Sequence, residues 1–234
     1  MIQPIPTMIV PTLNGAQRLS KLLASIDYPV EQLIIINNDA RRWSVQMWVL
    51  DAFLENQNIG DMDVIDLPSN LGVAASWNLG IKVAPFSDYW CIVNDDVTFE
   101  PGSLAILAAD SSSDHVTVSD CPQLFSAFCV GERVVERVGL FDEAYYPAYF
   151  EDTEFKRRAD HLMGFGVLVY SEAKVFHNNS STICSDSALA VHNHRTYSAN
   201  SAVYESKVEQ HDYSVSGWSL AIRRRNDWGG DGAL

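Results

Sequence analysis

One stretch constrains the fold of this chain more than any other. An apolar run, Tyr-Trp-Cys-Ile-Val at residues 89–93, is followed directly by Asn94, Asp95 and Asp96. Such a run is typical of a strand buried on both faces of a parallel sheet, and ligands of open α/β sheets bind beyond the carboxyl ends of the strands. Two carboxylates at that place can bind a hard cation, which can bind a diphosphate. Taken alone, the simpler interpretation is a strand that ends in a solvated turn, because Asn and Asp are common turn residues.

The same pattern recurs before this stretch. Apolar strands and helices with apolar residues at helical spacing are predicted to alternate, at 7–12, 16–26, 32–36, 41–56, 62–67 and 70–80. This alternation predicts an α/β fold with a Rossmann-like, mostly parallel central sheet and helices on both faces. Polar residues follow the strands and are expected to line one edge of the sheet, as they do around a nucleotide: Asn14, Asn37, Asn38, Asp39, Asn70, Asp95 and Asp96.

The texture of the chain changes after Asp96. Helices are predicted at 103–109 and 132–138, and strands at 125–130 and 165–170. An aromatic stretch precedes Glu151 and Asp152, which begin a helix that becomes basic further on, as the helix dipole favours. Residues 182–234 are mixed in character and only weakly periodic.

Composition narrows the classes of function. The formal net charge is −14, with 30 acidic and 16 basic residues, so we expect no nucleic-acid partner. No apolar run reaches the length of a transmembrane helix, and the start of the chain lacks the basic region of a secretory signal. The four cysteines are widely spaced and are expected to be free thiols in a reducing cytosol, with a Cys121–Cys129 bridge as the alternative. Because acidic residues outnumber basic ones, a broad basic surface is not expected, and any phosphate must be bound locally by a metal ion or by backbone amides.

Two further features carry chemistry. Glu151 and Asp152 at a helix start either supply a general base for a substrate hydroxyl or simply cap the helix. His177 ends an apolar strand and is either a structural histidine or a metal ligand. His192 and His194 share a face if extended, but no cysteine or acid stands beside them at a metal-site spacing. The common dinucleotide, P-loop, zincin and hydrolase motifs do not occur in the sequence.

The motifs occur in an order that resembles the family 2 glycosyltransferases with a GT-A fold, particularly the bacterial and viral branch that includes rhamnosyltransferases. The matching stretches are VPTLN (10–14), NLGVA (70–74), NLG (78–80), NDD (94–96), VGLFDE (138–143), FEDTEFKRR (150–158) and KVFHNNSS (174–181). One such motif would be weak evidence, whereas this many in one order are specific. The resemblance implies a single GT-A domain over residues 1–181. Its nucleotide-sugar-binding half would be 1–98 and its smaller, acceptor-side and catalytic half 99–181, with 182–234 as an extension packed on the domain.

The resemblance also implies roles for individual residues. Donor-binding roles fall to Pro11, Thr12, Asn14, Asn37, Asp39, Asn70, Gly72, Asn78, Asn94 and Asp95. Asp96 and His177 would bind a divalent cation, Mn²⁺ or Mg²⁺, and a mixed carboxylate and imidazole pair favours Mn²⁺. Asp152 would deprotonate the acceptor hydroxyl, so that the sugar is transferred in a single displacement with inversion. Glu151, Tyr149 and Arg158 would support this step or contact the acceptor.

The donor implied is a UDP- or dTDP-linked sugar, and the acceptor a glycan, a lipid-linked sugar or a protein. The family usually carries Asp after its second strand, whereas this chain has Asn37-Asn38-Asp39, so the base or ribose contact falls either to Asn37 or to Asp39. We expect a cytoplasmic protein, and both a position at the membrane periphery and a homodimer are compatible with the sequence.

Two other functions fit the same fold. A non-catalytic protein that binds glycans or nucleotide sugars is the first, although pure binding requires no base such as Asp152. A sugar nucleotidyltransferase is the second, but it needs a glycine-rich, basic loop after the first strand, and residues 13–18 match that loop poorly.

Overall fold

The computed structural model describes residues 3–13, 15–38, 51–177 and 187–215, with side chains in the last range described from residue 196. The strands in these ranges are β1 (Ile5–Thr12), β2 (Val30–Asn37), β3 (Ile59–Asp66), β4 (Tyr89–Val93), β5 (Val97–Phe99), β6 (Val116–Asp120), β7 (Ala127–Gly131) and β8 (Leu168–His177). The helices are α1 (Ala16–Ala24), α2 (Val73–Val83), α3 (Ser103–Asp110), α4 (Glu132–Val138), α5 (Glu151–Met163) and α6 (Ser187–Glu209).

The strands form one eight-stranded sheet in the order β3-β2-β1-β4-β7-β6-β8-β5. Strands β1 to β4 run parallel to one another, with β1 between β2 and β4. Strand β7 is antiparallel to both β4 and β6, while β8 runs parallel to β6 and pairs antiparallel with β5 at the edge. The carboxyl ends of β1, β2 and β4 therefore share one edge of the sheet.

Two hydrophobic cores lie on the two faces of this sheet. Successive residues of β1 alternate between them, because Met8 belongs to the core that includes α1 and α3, whereas Ile9 belongs to the core that includes α2, α4 and α5. Helix α2 approaches β1 so closely that a Cβ on Gly80 would lie 2.4 Å from Ile9 Cγ2. Close packing of α2 sets the position of the turn that precedes it, at residues 70–72.

The structure departs from the sequence predictions in several elements. Strand β6 and the 23-residue helix α6 were not predicted, and the strand predicted from residue 165 begins at Leu168, after a 3₁₀ turn. Of the helix predicted over 41–56, residues 51–55 are described and helical. Cys91, Cys121 and Cys129 are buried free thiols, and Cys184 lies outside the described residues. Within the described ranges, no helix combines the length and the apolar character needed to cross a bilayer.

Candidate active site

A cavity of about 450 Å³ opens at the carboxyl edge of the sheet. Its walls come from the end of β1, the turn before α2, the residues after β4, the end of β8 and the segment that leads into α5. Of the residues singled out in the sequence, those that line it are Pro11, Thr12, Asn70, Gly72, Asn94, Asp95, Asp96, Tyr149, Glu151, Asp152 and His177. Asn37, Asn78 and Arg158 are not among its lining residues, and Asn14 and Asp39 lie outside the described residues.

Asp96 and His177 meet in the wall of this cavity. His177 Nε2 lies 2.9 Å from Asp96 Oδ1, and the two side chains are 12% and 7% exposed. Strand pairing brings them together, because His177 is opposite Val97, the residue after Asp96, in the β5–β8 ladder. On the other side of the imidazole ring, Nδ1 lies 3.1 Å from Ser126 Oγ. A partner at Nδ1 fixes the ring so that Nε2 is available toward Asp96.

The donor set of this pair fits a divalent cation. The carboxylate oxygen of Asp96 and the imidazole nitrogen of His177 are both ligands that divalent transition metals accept, and the two atoms lie 2.9 Å apart. Among the described residues, no group of three or more His, Cys, Asp or Glu side chains converges. Among the described residues, Asp96 and His177 are therefore the pair that could hold a cation at this place.

Asp95 is held in a buried network beside this pair. Thr12 Oγ1 donates a hydrogen bond of 2.6 Å to Asp95 Oδ2, and Arg18 Nε lies 3.3 Å from Oδ1. Burial raises the pKa of the Asp95 carboxyl, while Arg18 and Thr12 oppose that rise. The network links the end of β1 to the end of β4. It requires Gly15, because a Cβ there would lie 1.9 Å from Asp95 Oδ2.

The turn before α2 is fixed by a residue that the sequence analysis placed near the edge but did not select. Asn38 Oδ1 accepts a hydrogen bond from Leu71 N at 3.0 Å, and Asn38 Nδ2 donates to Ser76 Oγ at 2.9 Å. Asn38 lines the cavity, whereas the preceding Asn37 donates to Asp66 Oδ1 across the β2–β3 ladder at 2.7 Å. The alternation of side chains at the end of a strand was the signal that separates the two.

Asn78 and Arg158 serve the fold around the cavity. Asn78 binds the backbone of Phe141 in both directions, with Nδ2 2.9 Å from its carbonyl and Oδ1 3.0 Å from its N–H. Arg158 is fully buried, with Nε 2.8 Å from Glu154 Oε1 and its other nitrogens on the carbonyls of Val138 and Leu140. Both residues fix the segment 138–143, and Arg158 attaches that segment to α5.

Glu151 and Asp152 begin α5 and face the cavity with different environments. Asp152 is partly exposed, and its Oδ1 accepts a hydrogen bond from Thr153 N at 2.6 Å. Glu151 is only 6% exposed, and its Oε2 has no hydrogen-bond partner among the described residues. Burial, and secondarily the charge of Asp152, raises the pKa of Glu151 well above the ordinary value of a glutamate. Of the two carboxylates, Asp152 is the more exposed.

The loop before α5 closes the cavity against the turn at Gly72. Val73 N donates to Pro147 O at 2.8 Å. Gly72 has a φ of +85°, and a Cβ on it would lie 2.8 Å from the same carbonyl oxygen. Glycine at this position therefore permits both the turn and its close approach to the loop.

Comparison with protein families gives a match over most of the chain. The family model for glycosyl transferase family 2 matches residues 7–165 of the chain. Comparison of the chain with curated proteins gives no match.

Solved structures show the same fold at low sequence identity. The mannosyltransferase PcManGT from Pyrobaculum calidifontis, in complex with GDP-Man and Mn²⁺, is 15% identical with a TM-score of 0.58, over 72% of this chain and 56% of that one. GalNAc-T7 with UDP, GalNAc and Mn²⁺ is 12% identical with a TM-score of 0.61, over 75% of this chain and 44% of that one. S. aureus TarS is 17% identical with a TM-score of 0.56, over 70% of this chain and 34% of that one.

The chain thus covers about a third to somewhat more than half of the length of these proteins. At such identities the likeness concerns the fold, and it confirms the prediction of a GT-A fold. The match of the family model extends over most of the chain and carries the assignment. This chain belongs to glycosyl transferase family 2.

Proposed function

We propose that this chain is an inverting glycosyltransferase that moves a sugar from a nucleoside-diphosphate donor to an acceptor hydroxyl. One observation carries the proposal: a single cavity is lined both by the Asp96–His177 pair and by Asp152. A transferase of this kind needs a site for the diphosphate and a base for the acceptor, close enough for both substrates to react. Membership of glycosyl transferase family 2 supports the same conclusion.

Asp96 and His177 are the proposed holders of a divalent cation. When bound, the cation stabilises the negative charge that develops on the departing diphosphate. The mixed oxygen and nitrogen donor set favours Mn²⁺ over Mg²⁺, and Mn²⁺ is the ion named in the structures of PcManGT and GalNAc-T7. The network of Thr12, Asp95 and Arg18 keeps the backbone before Asp96 in place.

Asp152 is the proposed general base. Its carboxylate accepts the proton of the acceptor hydroxyl while the acceptor oxygen forms a bond to the anomeric carbon of the donor sugar. The bond between that carbon and the phosphate oxygen breaks at the same time, and its electron pair leaves with the diphosphate. Attack from the face opposite the leaving group inverts the anomeric configuration.

The donor is proposed to be a UDP- or dTDP-linked sugar, held at the end of β1 by Pro11 and Thr12, by Asn94, and by the turn at Asn70 and Gly72. Similar structures contain related ligands, namely GDP-Man in PcManGT and UDP-GlcNAc in S. aureus TarS. The acceptor is proposed to be a glycan, a lipid-linked sugar or a protein. Transfer of a rhamnosyl group, as in the branch that the motifs resemble, stays a prediction.

A melting-temperature screen tests the donor and metal site. The purified protein is measured with UDP, dTDP or GDP, each with Mn²⁺, Mg²⁺ or EDTA. A ligand at 100 times its dissociation constant stabilises the native state by about 2.7 kcal/mol, so one diphosphate should raise the melting temperature with Mn²⁺ and not with EDTA. His177→Ala should abolish the effect, whereas Glu172→Gln, at an exposed position of the same strand, should preserve it.

Asp152→Asn separates a catalyst from a binding protein. The substitution keeps an oxygen that can accept the bond from Thr153 N, but it removes the base. Turnover should fall about 10²- to 10⁴-fold while the diphosphate shift persists. Release of the nucleoside diphosphate from a panel of donor sugars measures turnover. A variant that binds and turns over like the wild type would exclude Asp152 as the base. A wild-type protein that binds the diphosphate but releases none from any donor would favour the non-catalytic alternative.

A further inference from the structure

Helix α6 lies beyond the region that the family model matches, yet it binds the segment that leads to Asp152. Asn200 is 4% exposed, and its Nδ2 lies 2.9 Å from Ala148 O and 3.4 Å from each of Tyr146 O and Tyr149 O. One side-chain amide thus faces three consecutive or nearly consecutive carbonyls of a loop that has no strand or helix of its own. A buried amide with such partners orders the backbone that it binds.

Aromatic contacts add a second set of restraints between α6 and the same segment. The ring of Tyr197 lies 5.4 Å from that of Tyr149 and 5.2 Å from that of Phe150, measured between centroids. The ring of Tyr204 stacks on Phe150 at 5.6 Å. Such pairs stabilise a contact beyond the area that they bury.

The backbone of this segment needs restraint. Tyr149 and Phe150 have φ values of +76° and +75°, in the left-handed region that bulky side chains rarely adopt. This backbone conformation is unfavourable for a residue with a Cβ, so it persists only where its surroundings hold it. Phe150 directly precedes Glu151, where α5 begins, and its conformation therefore sets the direction of the first turn that carries Asp152.

A charged contact anchors the far end of α6. Lys207 Nζ lies 2.6 Å from Asp142 Oδ2 and 2.6 Å from Ser214 O, at a residue that is 9% exposed. Asp142 belongs to the segment that Asn78 and Arg158 also hold. The helix is therefore attached at two places, at Asp142 just before the loop 143–150 and at the carbonyls inside that loop.

We propose that α6 is a brace for the catalytic base, and that Asn200 is its main positioning residue. By holding the carbonyls of Tyr146, Ala148 and Tyr149, Asn200 keeps the left-handed backbone in place and so directs the Asp152 carboxylate into the cavity. The working catalytic unit then extends past residue 165, where the family match ends, to at least residue 207. This inference rests on the proposed role of Asp152.

Asn200→Ala tests the brace, with Ser198→Ala, at an exposed position of the same helix, as its control. Hydrogen–deuterium exchange of the full chain is measured for peptides from 145–153 and from β1 and β4. Exchange in 145–153 should rise about tenfold or more in Asn200→Ala, because local opening becomes easier, and should stay unchanged in β1, in β4 and in the control. The shift in melting temperature with Mn²⁺ and diphosphate should equal that of the wild type, because the cation site lies on other elements.

Turnover supplies the second readout. Misplacement of a catalytic group by about 1 Å can cost on the order of 100-fold, so Asn200→Ala should lower kcat by about 10- to 100-fold with little change in KM for the donor. In the Asp152→Asn background, Asn200→Ala should lower turnover no further, since both changes act through one carboxylate. An additional fall in the double variant would show that Asn200 acts elsewhere, and wild-type exchange in 145–153 would overturn the brace itself.

Two further outcomes are distinguishable. If Asn200→Ala does not fold, Tyr197→Ala replaces it, because that ring is 47% exposed and its loss removes contacts to Tyr149 and Phe150 without opening the core. The same direction of change in exchange is expected, and its absence would overturn the proposal. If Asp152→Asn retains full turnover, the proposed function fails, while exchange in 145–153 still decides whether α6 restrains the loop.

Discussion

The two sides of the cavity are built by different means. On the strand side, Thr12, Asp95 and Asp96 directly end or follow strands of the sheet, and His177 is the last residue of β8. On the loop side, Tyr149 to Asp152 depend on a left-handed backbone that contacts from about fifty residues further along the chain hold in place. The strand side is therefore a property of the sheet, whereas the loop side is a property of tertiary packing.

This difference has a consequence for how the site responds to change. A sheet edge keeps its geometry as long as the strands pair, so substitutions there should act locally on ligand binding. The loop has few backbone hydrogen bonds of its own, and substitutions in α6 should therefore reach the base without touching it. Substitutions on the strand side should therefore weaken donor binding, whereas substitutions in α6 should lower turnover.

The largest effect on stability is expected at Lys207, which anchors the loop side. Lys207→Met removes the ammonium that faces the fully buried carboxylate of Asp142 at 2.6 Å and also faces Glu154 at 3.7 Å. Breaking a buried ion pair by removal of one partner typically costs about 3–5 kcal/mol. We expect that loss in the free energy of unfolding, measured by urea denaturation.

Lys156→Met is the matched control for this prediction. Its ammonium pairs with Asp160 at 2.6 Å within one helix, but the lysine side chain is 34% exposed. Such a partly exposed pair contributes about 0.3–0.5 kcal/mol. Equal losses in the two variants would show that the Lys207–Asp142 pair does not anchor α6.

The sequence predicted the strand side of the cavity better than the loop side, for the same reason. The strand side was predictable because an apolar run that ends in polar residues places those residues at the sheet edge, and the motif NDD marks the position. Strand β6 was missed because Thr117 and Ser119 interrupt its apolar pattern, although both are buried. Helix α6 was missed because two of the residues that attach it to the domain, Asn200 and Lys207, are polar. The sequence therefore lacks the apolar stripe that would predict this contact.

For single polar residues, too, the sequence does not identify the hydrogen-bond partner. Asn78 was expected to bind the donor or shape its pocket, and in the structure its amide satisfies both backbone groups of Phe141, a partner 63 residues away in the chain. Asn38 was overlooked between its two neighbours, although it is the one that binds the turn before α2. A sequence pattern indicates that a polar side chain lies near an edge, but the identity of its partner depends on elements brought together only in the fold.

An intermediate effect is expected at Gly15, which tests the strand side. Gly15→Ala would place a methyl group 1.9 Å from Asp95 Oδ2 and 2.6 Å from Thr12 Oγ1, so the carboxylate must move and its bond to Thr12 must break. Overpacking of this kind costs about 1–3 kcal/mol. We also expect a smaller shift in melting temperature with Mn²⁺ and diphosphate, because the backbone that carries Asp96 loses its support.

Gly166→Ala is the control for Gly15→Ala, since nothing lies within 4 Å of a Cβ at that position. It should leave both stability and diphosphate binding close to the wild type. Exchange in 145–153 should also stay unchanged in Gly15→Ala. A rise there would mean that the two sides of the cavity are coupled and would break the distinction between them.

Near pH 5 the smallest effect is expected at Glu151, and its sign is opposite because the substitution stabilises the folded protein. Because burial raises the pKa of this carboxyl in the folded protein well above the ordinary 4.5, folding retains a proton that the unfolded chain releases. The stability that this group contributes is complete below pH 4.5 and is lost as the pH rises through the folded-state pKa, at about 1.4 kcal/mol per pH unit. Glu151→Gln, which cannot ionise, avoids this loss. Its melting temperature in EDTA should match the wild type near pH 4.5 and exceed it increasingly as the pH is raised.

Glu172→Gln removes the same charge at an exposed site of β8 and serves as the control. If Glu151→Gln is destabilised at pH 8, the carboxyl must be ionised and bound in the folded protein, and the loop side would then contain a charged partner for it.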